Sequence, residues 1–140
     1  MNRIHHINLV VSDIDAATKH FEALTEVTAQ PMEYLPSRAV ALRRFRLNEL
    51  WLIVLAPTAD DSPAAVWLRE RGPGLFLLSF CADNLDRELA RVQRNGISAV
   101  GAQRQGLDDW RVLDLAPDAF GGIPVQLTES AETTAKGKQS

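Results

Sequence analysis

The chain has 140 residues, 46% of them hydrophobic and 24% charged, and a formal net charge of −3. That length is enough for one compact domain with a real core. The mildly acidic balance, with no block of Lys and Arg, argues against a nucleic-acid partner, because neutralising phosphates takes clustered cations.

The first stretch, Ile4 to Val11, is apolar and β-branched enough for a strand. Its side chains alternate, so His6, Asn8 and Val10 share one face and Ile7, Leu9 and Val11 the other. Ser12 or Asp13 is placed to cap a following helix, whose buried stripe is expected at Ile14, Ala17, Phe21 and Leu24. Thr28 to Tyr34 reads as a weak edge strand broken by Pro31. Arg38 to Leu47 and Leu50 to Leu55 read as a hairpin turning at Asn48-Glu49. Its basic cluster, Arg43-Arg44-Phe45-Arg46, divides between two faces, which leaves open a solvated edge or a pocket for an anionic ligand.

Residues 57–74 are punctuated by Pro57, Pro63, Gly72, Pro73 and Gly74, with a short helix from Pro63 to Arg71 capped by Ser62. A second β-α-β-β-β run follows: strand Leu75 to Ala82, helix Asn84 to Asn95 stopped by Gly96, strand Ile97 to Ala102, a polar loop through Asp109, then strands Trp110 to Leu115 and Ile123 to Thr128. Leu75 through Asp86 is a weak copy of Ile4 through Asp15, with Leu77 in the place of His6. The organisation is a first module at 1–56, a connecting segment at 57–74, a second module at 75–129 and a tail at 130–140 expected to be disordered, all in one domain. Cys81 is the single cysteine, so an intrachain disulfide and a thiolate metal cluster are excluded. The first residues lack the pattern of a signal peptide, and no apolar run nears the roughly 18 residues of a membrane span. The expected location is the cytoplasm, without a membrane partner.

Two β-α-β-β-β modules, His6 on the first strand and the run Val10-Val11-Ser12-Asp13-Ile14-Asp15-Ala16-Ala17 resemble the vicinal oxygen chelate superfamily, which includes glyoxalase I, extradiol dioxygenases and the bleomycin resistance proteins. Asp61 through Leu68, Gly72-Pro73-Gly74, and Pro117 with Gly121 through Leu127 are most similar to its methylmalonyl-CoA epimerase branch. The resemblance implies an α+β fold in which the modules curl a mixed sheet around a half-open cavity with helices outside. It also implies a divalent metal held by four cavity-facing strand positions, which fall on His6, Ile53, Leu77 and Gln126. Two of these are aliphatic and cannot donate electrons. The expectation is therefore no cofactor, with a divalent metal at His6 and Gln126 as the alternative.

Among the polar residues, His6 is the candidate catalytic group, as a base or a polar contact, because imidazole titrates near neutrality. Asn8, Trp51, Arg44, Ser79, Trp110 and Gln126 are the candidate ligand contacts. Trp51, Trp67 and Trp110 suit a flat or apolar ligand by stacking, or else belong to ordinary core. Asp108, Asp109 and Asp114 do not converge by spacing alone. The functional expectation is a protein that binds a small organic molecule in the inter-module cavity without a catalytic metal. The alternative is an isomerase or lyase acting by proton transfer on an acyl thioester or α-keto compound. A homodimer is compatible with either.

Overall fold

The computed structural model describes residues 3–134. The element order repeats β-α-β-β-β around a connecting helix: β1 (Ile4–Val10), α1 (Ile14–Thr25), β2 (Glu33–Leu35), β3 (Val40–Leu47), β4 (Leu50–Pro57), α2 (Pro63–Arg71), β5 (Gly74–Cys81), α3 (Leu85–Gln93), β6 (Ala99–Gln105), β7 (Arg111–Leu115) and β8 (Val125–Glu129). This is the α+β class expected from the sequence. The chain divides into two compact units, His6–Phe76 and residues 3–5 with 77–134, the division falling within β1 and β5.

In the unit His6–Phe76 the strand order is β2-β3-β4-β1. β1 runs parallel to β4, and β3 is antiparallel to both β2 and β4. Asp13 starts α1 by accepting the Ala16 N–H at 3.0 Å, a cap worth about 1 kcal/mol. Burial contributes more. Phe45, Val54 and Ala29 are buried, with Ile14, Ala17, Phe21, Leu47 and Leu52 packed on them, and each fully buried large apolar side chain contributes roughly 1.5–3 kcal/mol. Leu24 is a correction: it is 77% exposed, while Thr18 is buried. At about 100° per residue, position 25 continues the line of 14, 18 and 21, whereas position 24 has rotated off it. β2 is also shorter than expected, because the Pro31 segment before Glu33 stays outside the ladder.

In the other unit the order is β5-β8-β7-β6, with β5 and β8 parallel and the rest antiparallel. Leu85, Leu89 and Val92 of α3 pack against Leu113, Leu115, Val125 and Leu127. β6 runs past its expected end at Ala102 through Gln105, with a register shift between Val100 and Arg104. Four steps along β6 span only two along β7 there, an irregularity that Gly101, at φ 74°, helps the backbone make, so the polar residues after it rejoin the edge strand instead of forming a loop.

The tail is a second correction. Residues 131–134 form a helical turn, and Ser130 and Thr133 are buried. Their side chains cap each other's backbone N–H at 2.9 and 3.3 Å, the Thr133 hydroxyl donates to the Ala82 carbonyl at 2.8 Å, and the Ala131 N–H donates to Asp109 at 2.8 Å. Composition cannot reveal order that comes from long-range hydrogen bonds. Residues 135–140 of the expected disordered tail lie outside the described residues.

Candidate functional site

Strand alternation and register sort the candidate residues onto the faces turned away from α1 and α3. In the unit His6–Phe76, His6 lies opposite Trp51, which lies opposite Arg46. The next row is Asn8, Ile53 and Arg44. Side chains two apart on a strand share a face, so these two rows form one surface carrying His6, Asn8, Trp51 and Arg44. His6 is 3% exposed and Ile53 is 2% exposed.

Arg44 is not a solvated edge residue. Its Nε donates to Glu33 Oε2 at 2.8 Å and its Nη2 to Glu33 Oε1 at 3.0 Å, a two-pronged ion pair. The guanidinium also lies 4.7 Å from the centre of the Trp51 ring, and that of Arg46 lies 5.0 Å from it. Cation–π contacts of this kind contribute from about 0.5 to 2 kcal/mol each. Arg43, on the opposite face, donates to the Gln30 carbonyl. The basic cluster therefore does split between two faces. The sequence missed Glu33, whose partner is a β-ladder neighbour away and not near in sequence.

The other two tryptophans also have ring partners inside the chain. Trp110, just before β7, is buried and meets His5 edge-on at 4.5 Å. Trp67 meets Phe76 edge-on at 5.4 Å and carries the Arg71 guanidinium at 3.6 Å. All three rings that suit ligand stacking are thus engaged by side chains of their own unit.

In the unit containing β5 to β8, Ser79 pairs with Gln126, which pairs with Asp114. Ser79 and Thr128 hydroxyls lie 2.6 Å apart, Thr128 donates to Gln126 Oε1 at 3.3 Å, Gln126 Nε2 donates to Asp114 Oδ1 at 3.0 Å, and Arg104 donates to Asp114 Oδ2 at 2.9 Å. A carboxylate only accepts, which fixes the Gln126 amide with its oxygen toward Thr128. Thr128 has one proton and gives it to Gln126, so the Ser79 hydroxyl donates to Thr128. The chain of donors runs one way, from Ser79 to Asp114. Ser79 and Thr128 have no exposed surface, and such buried hydroxyls are tolerable because they are bonded. Arg104 is absent from the sequence reading, and Asp114 enters it only beside Asp108 and Asp109, since a cross-strand pair gives no local signal.

The four positions that resemblance assigns to a metal can now be tested on their chemistry. The unit His6–Phe76 supplies an imidazole at His6 and a buried aliphatic side chain at Ile53. The other unit supplies an aliphatic side chain at Leu77 and an amide at Gln126, which is already bonded to Asp114 and Thr128. One imidazole and one neutral amide do not fit a divalent metal, which takes about three protein ligands. Nor do the aspartates gather elsewhere. Asp109 holds Ala131, Asp114 holds Gln126 and Arg104, and among the described residues no three His, Cys, Asp or Glu side chains come together.

The sequence profile of the glyoxalase/bleomycin resistance protein/dioxygenase superfamily matches residues 5–113, and the chain belongs to that family. It is 25% identical to the uncharacterised protein YqjC of Bacillus subtilis over 130 residues, covering 92% of this chain and 93% of that one. It is 21% identical to human mitochondrial methylmalonyl-CoA epimerase over 132 residues, covering 93% of this chain and 75% of the relative. A structure of Streptomyces coelicolor methylmalonyl-CoA epimerase in complex with 2-nitronate-propionyl-CoA matches at TM-score 0.84 and 25% identity, covering 92% of this chain and 94% of the other. The fold is thus the glyoxalase-like α+β fold, and the family read from His6 and the two modules holds. No helix among the described residues is long and apolar enough to cross a membrane.

Proposed function

We propose that this protein binds a small organic molecule on the strand face of the unit His6–Phe76 turned away from α1, in the cytoplasm, without a divalent metal at its superfamily's usual positions. The observation that carries the reading is the donor set: of the four positions His6 alone is a strong type of metal ligand, the others being buried Ile53, aliphatic Leu77 and a Gln126 amide held by Asp114. The ligand contacts are drawn from His6, Asn8, Trp51 and Arg44 in one unit. Ser79, Trp110 and Gln126 support the other face from within. Elemental analysis and native mass spectrometry of protein purified without chelators test this. An organic adduct with no stoichiometric metal is expected; one equivalent of tightly held zinc, cobalt or nickel overturns it.

The similarity to methylmalonyl-CoA epimerases favours a second reading. His6 then acts as a base on the proton next to the carbonyl of an acyl thioester or α-keto compound. A base within hydrogen-bond reach contributes roughly a hundredfold to ten-thousandfold in rate. Solvent deuterium exchange into methylmalonyl-CoA, lost in His6→Ala with binding kept, is the expected result. Exchange that survives the substitution rejects His6 as the base. Light scattering settles whether either activity resides in a homodimer.

A further inference from the structure

Asn8 is the polar group on this surface that the chain does not complete. Its Oδ1 is buried and has no hydrogen-bond partner among the described residues. Along β1 its same-face neighbours are His6 and Val10, and across the ladder to β4 it meets Ile53, with Trp51 and Leu55 diagonal to it. Val10, Ile53 and Leu55 have no donor. Arg44 stands one strand further on, with Nε and Nη2 both directed to Glu33. A buried carbonyl stripped of water without a replacement bond is unfavourable, and folded proteins keep few of them without a reason. A hard cation does not supply that reason, because it takes several oxygens and Asn8 offers one among aliphatic chains.

We infer that Asn8 is the anchor for a ligand that brings a hydrogen-bond donor: a hydroxyl, an amide N–H or an ammonium. This rests on the ligand-binding reading above and narrows it. A metal site recognises adjacent oxygens on its substrate, which are acceptors. Asn8, next to His6 on the same face, offers an acceptor, so the complementary ligand group is a donor instead of an acceptor. Selectivity of this kind is steep, because a ligand without the donor leaves Oδ1 unpaired after water is excluded.

Nitrogen-15 NMR of the full chain with matched fragments tests the inference. Phenol against anisole, and acetanilide against N-methylacetanilide, differ in one donor hydrogen. The donor members are expected to shift the Asn8 side-chain amide and to bind about tenfold more tightly than their methylated partners. Asn8→Ala removes that preference, while Asn8→Asp, which keeps an acceptor in place, retains it. Asn8→Leu checks the premise independently: with the unpaired oxygen gone, its melting temperature is unchanged or higher. A fall in that temperature shows that Oδ1 is bonded in the native protein and overturns the inference. Fragments that bind this surface with no preference for the donor, or a preference lost in Asn8→Asp, overturn it while the ligand-binding reading stands. If no fragment of either kind binds, both fail together.

Discussion

The two modules share one element order but handle polar groups differently on the face away from their helix. In the first, the polar groups are charged and separate: Arg44 is tied to Glu33, two guanidiniums lie over Trp51, and Asn8 keeps a buried oxygen with no donor to it among the described residues. In the second, they form one line of donors from Ser79 through Thr128 and Gln126 to Asp114, closed by Arg104. A closed line rigidifies a face and leaves little for a ligand to satisfy. An unpaired acceptor beside a buried imidazole does the opposite. The difference teaches that duplicated architecture does not imply duplicated chemistry: the first face keeps an acceptor unpaired among the described residues, and the second bonds its polar groups to one another.

Substitutions break or sharpen this contrast. The largest effect is expected from Glu33→Ala, which removes the two-pronged carboxylate partner of Arg44 in a mostly buried position. Urea unfolding should show a loss of about 3 kcal/mol, part of it recovered when Arg44→Met is added, because breaking one side of a buried ion pair costs more than replacing both. In the second module, Asp114→Ala removes the acceptor on which the whole line converges and should cost about 2 kcal/mol. Ser79→Ala, at the far end, removes one bond and should cost only about 1 kcal/mol. Equal losses at the two ends would show that the line is not directional. Trp51→Phe keeps a ring under Arg44 and Arg46 but weakens its field, and a loss of about 1 kcal/mol is expected in thermal unfolding.

The smallest effect is electrostatic and lies outside both faces. The side-chain hydrogen bond from Arg87, 2.9 Å away, holds the Asp83 carboxyl below its ordinary value of 3.8, with burial opposing it. A lowered folded-state value means that the contribution is present above about pH 4 and fades as pH falls through the folded value. An NMR titration of Asp83 should show the depression, and Arg87→Gln should return it toward the ordinary carboxylate range. Because the pair is exposed, global stability should barely change.

Much of the fold was legible because its signals are local. Asp13, one of two candidates, and Ser62 cap the helices the sequence assigns them, and the alternation around His6 put Asn8 on its face. The family followed from the same stretch. What escaped reading depended on partners far along the chain. For Arg44 the sequence leaves a solvated edge and an anion pocket open; the β2–β3 ladder instead brings Glu33 beside it. Trp51, Trp67 and Trp110 looked available for stacking until register and helix packing gave each ring a neighbour. Leu24 failed for a different reason, since it lies ten residues beyond Ile14, which is not a whole number of 3.6-residue turns, so it sits off that line. For the candidate site, the sequence supplied the residue types and faces. It did not supply the pairings that make Gln126 a fixed strut and leave Asn8 unsatisfied.

The central claim is that the superfamily's metal chemistry has given way to direct polar recognition. Calorimetric titration of Co²⁺ and Zn²⁺ into the full chain, compared with His6→Ala, tests it most directly. No stoichiometric uptake by either protein is predicted. One-to-one uptake by the unsubstituted chain that disappears in His6→Ala would contradict the account.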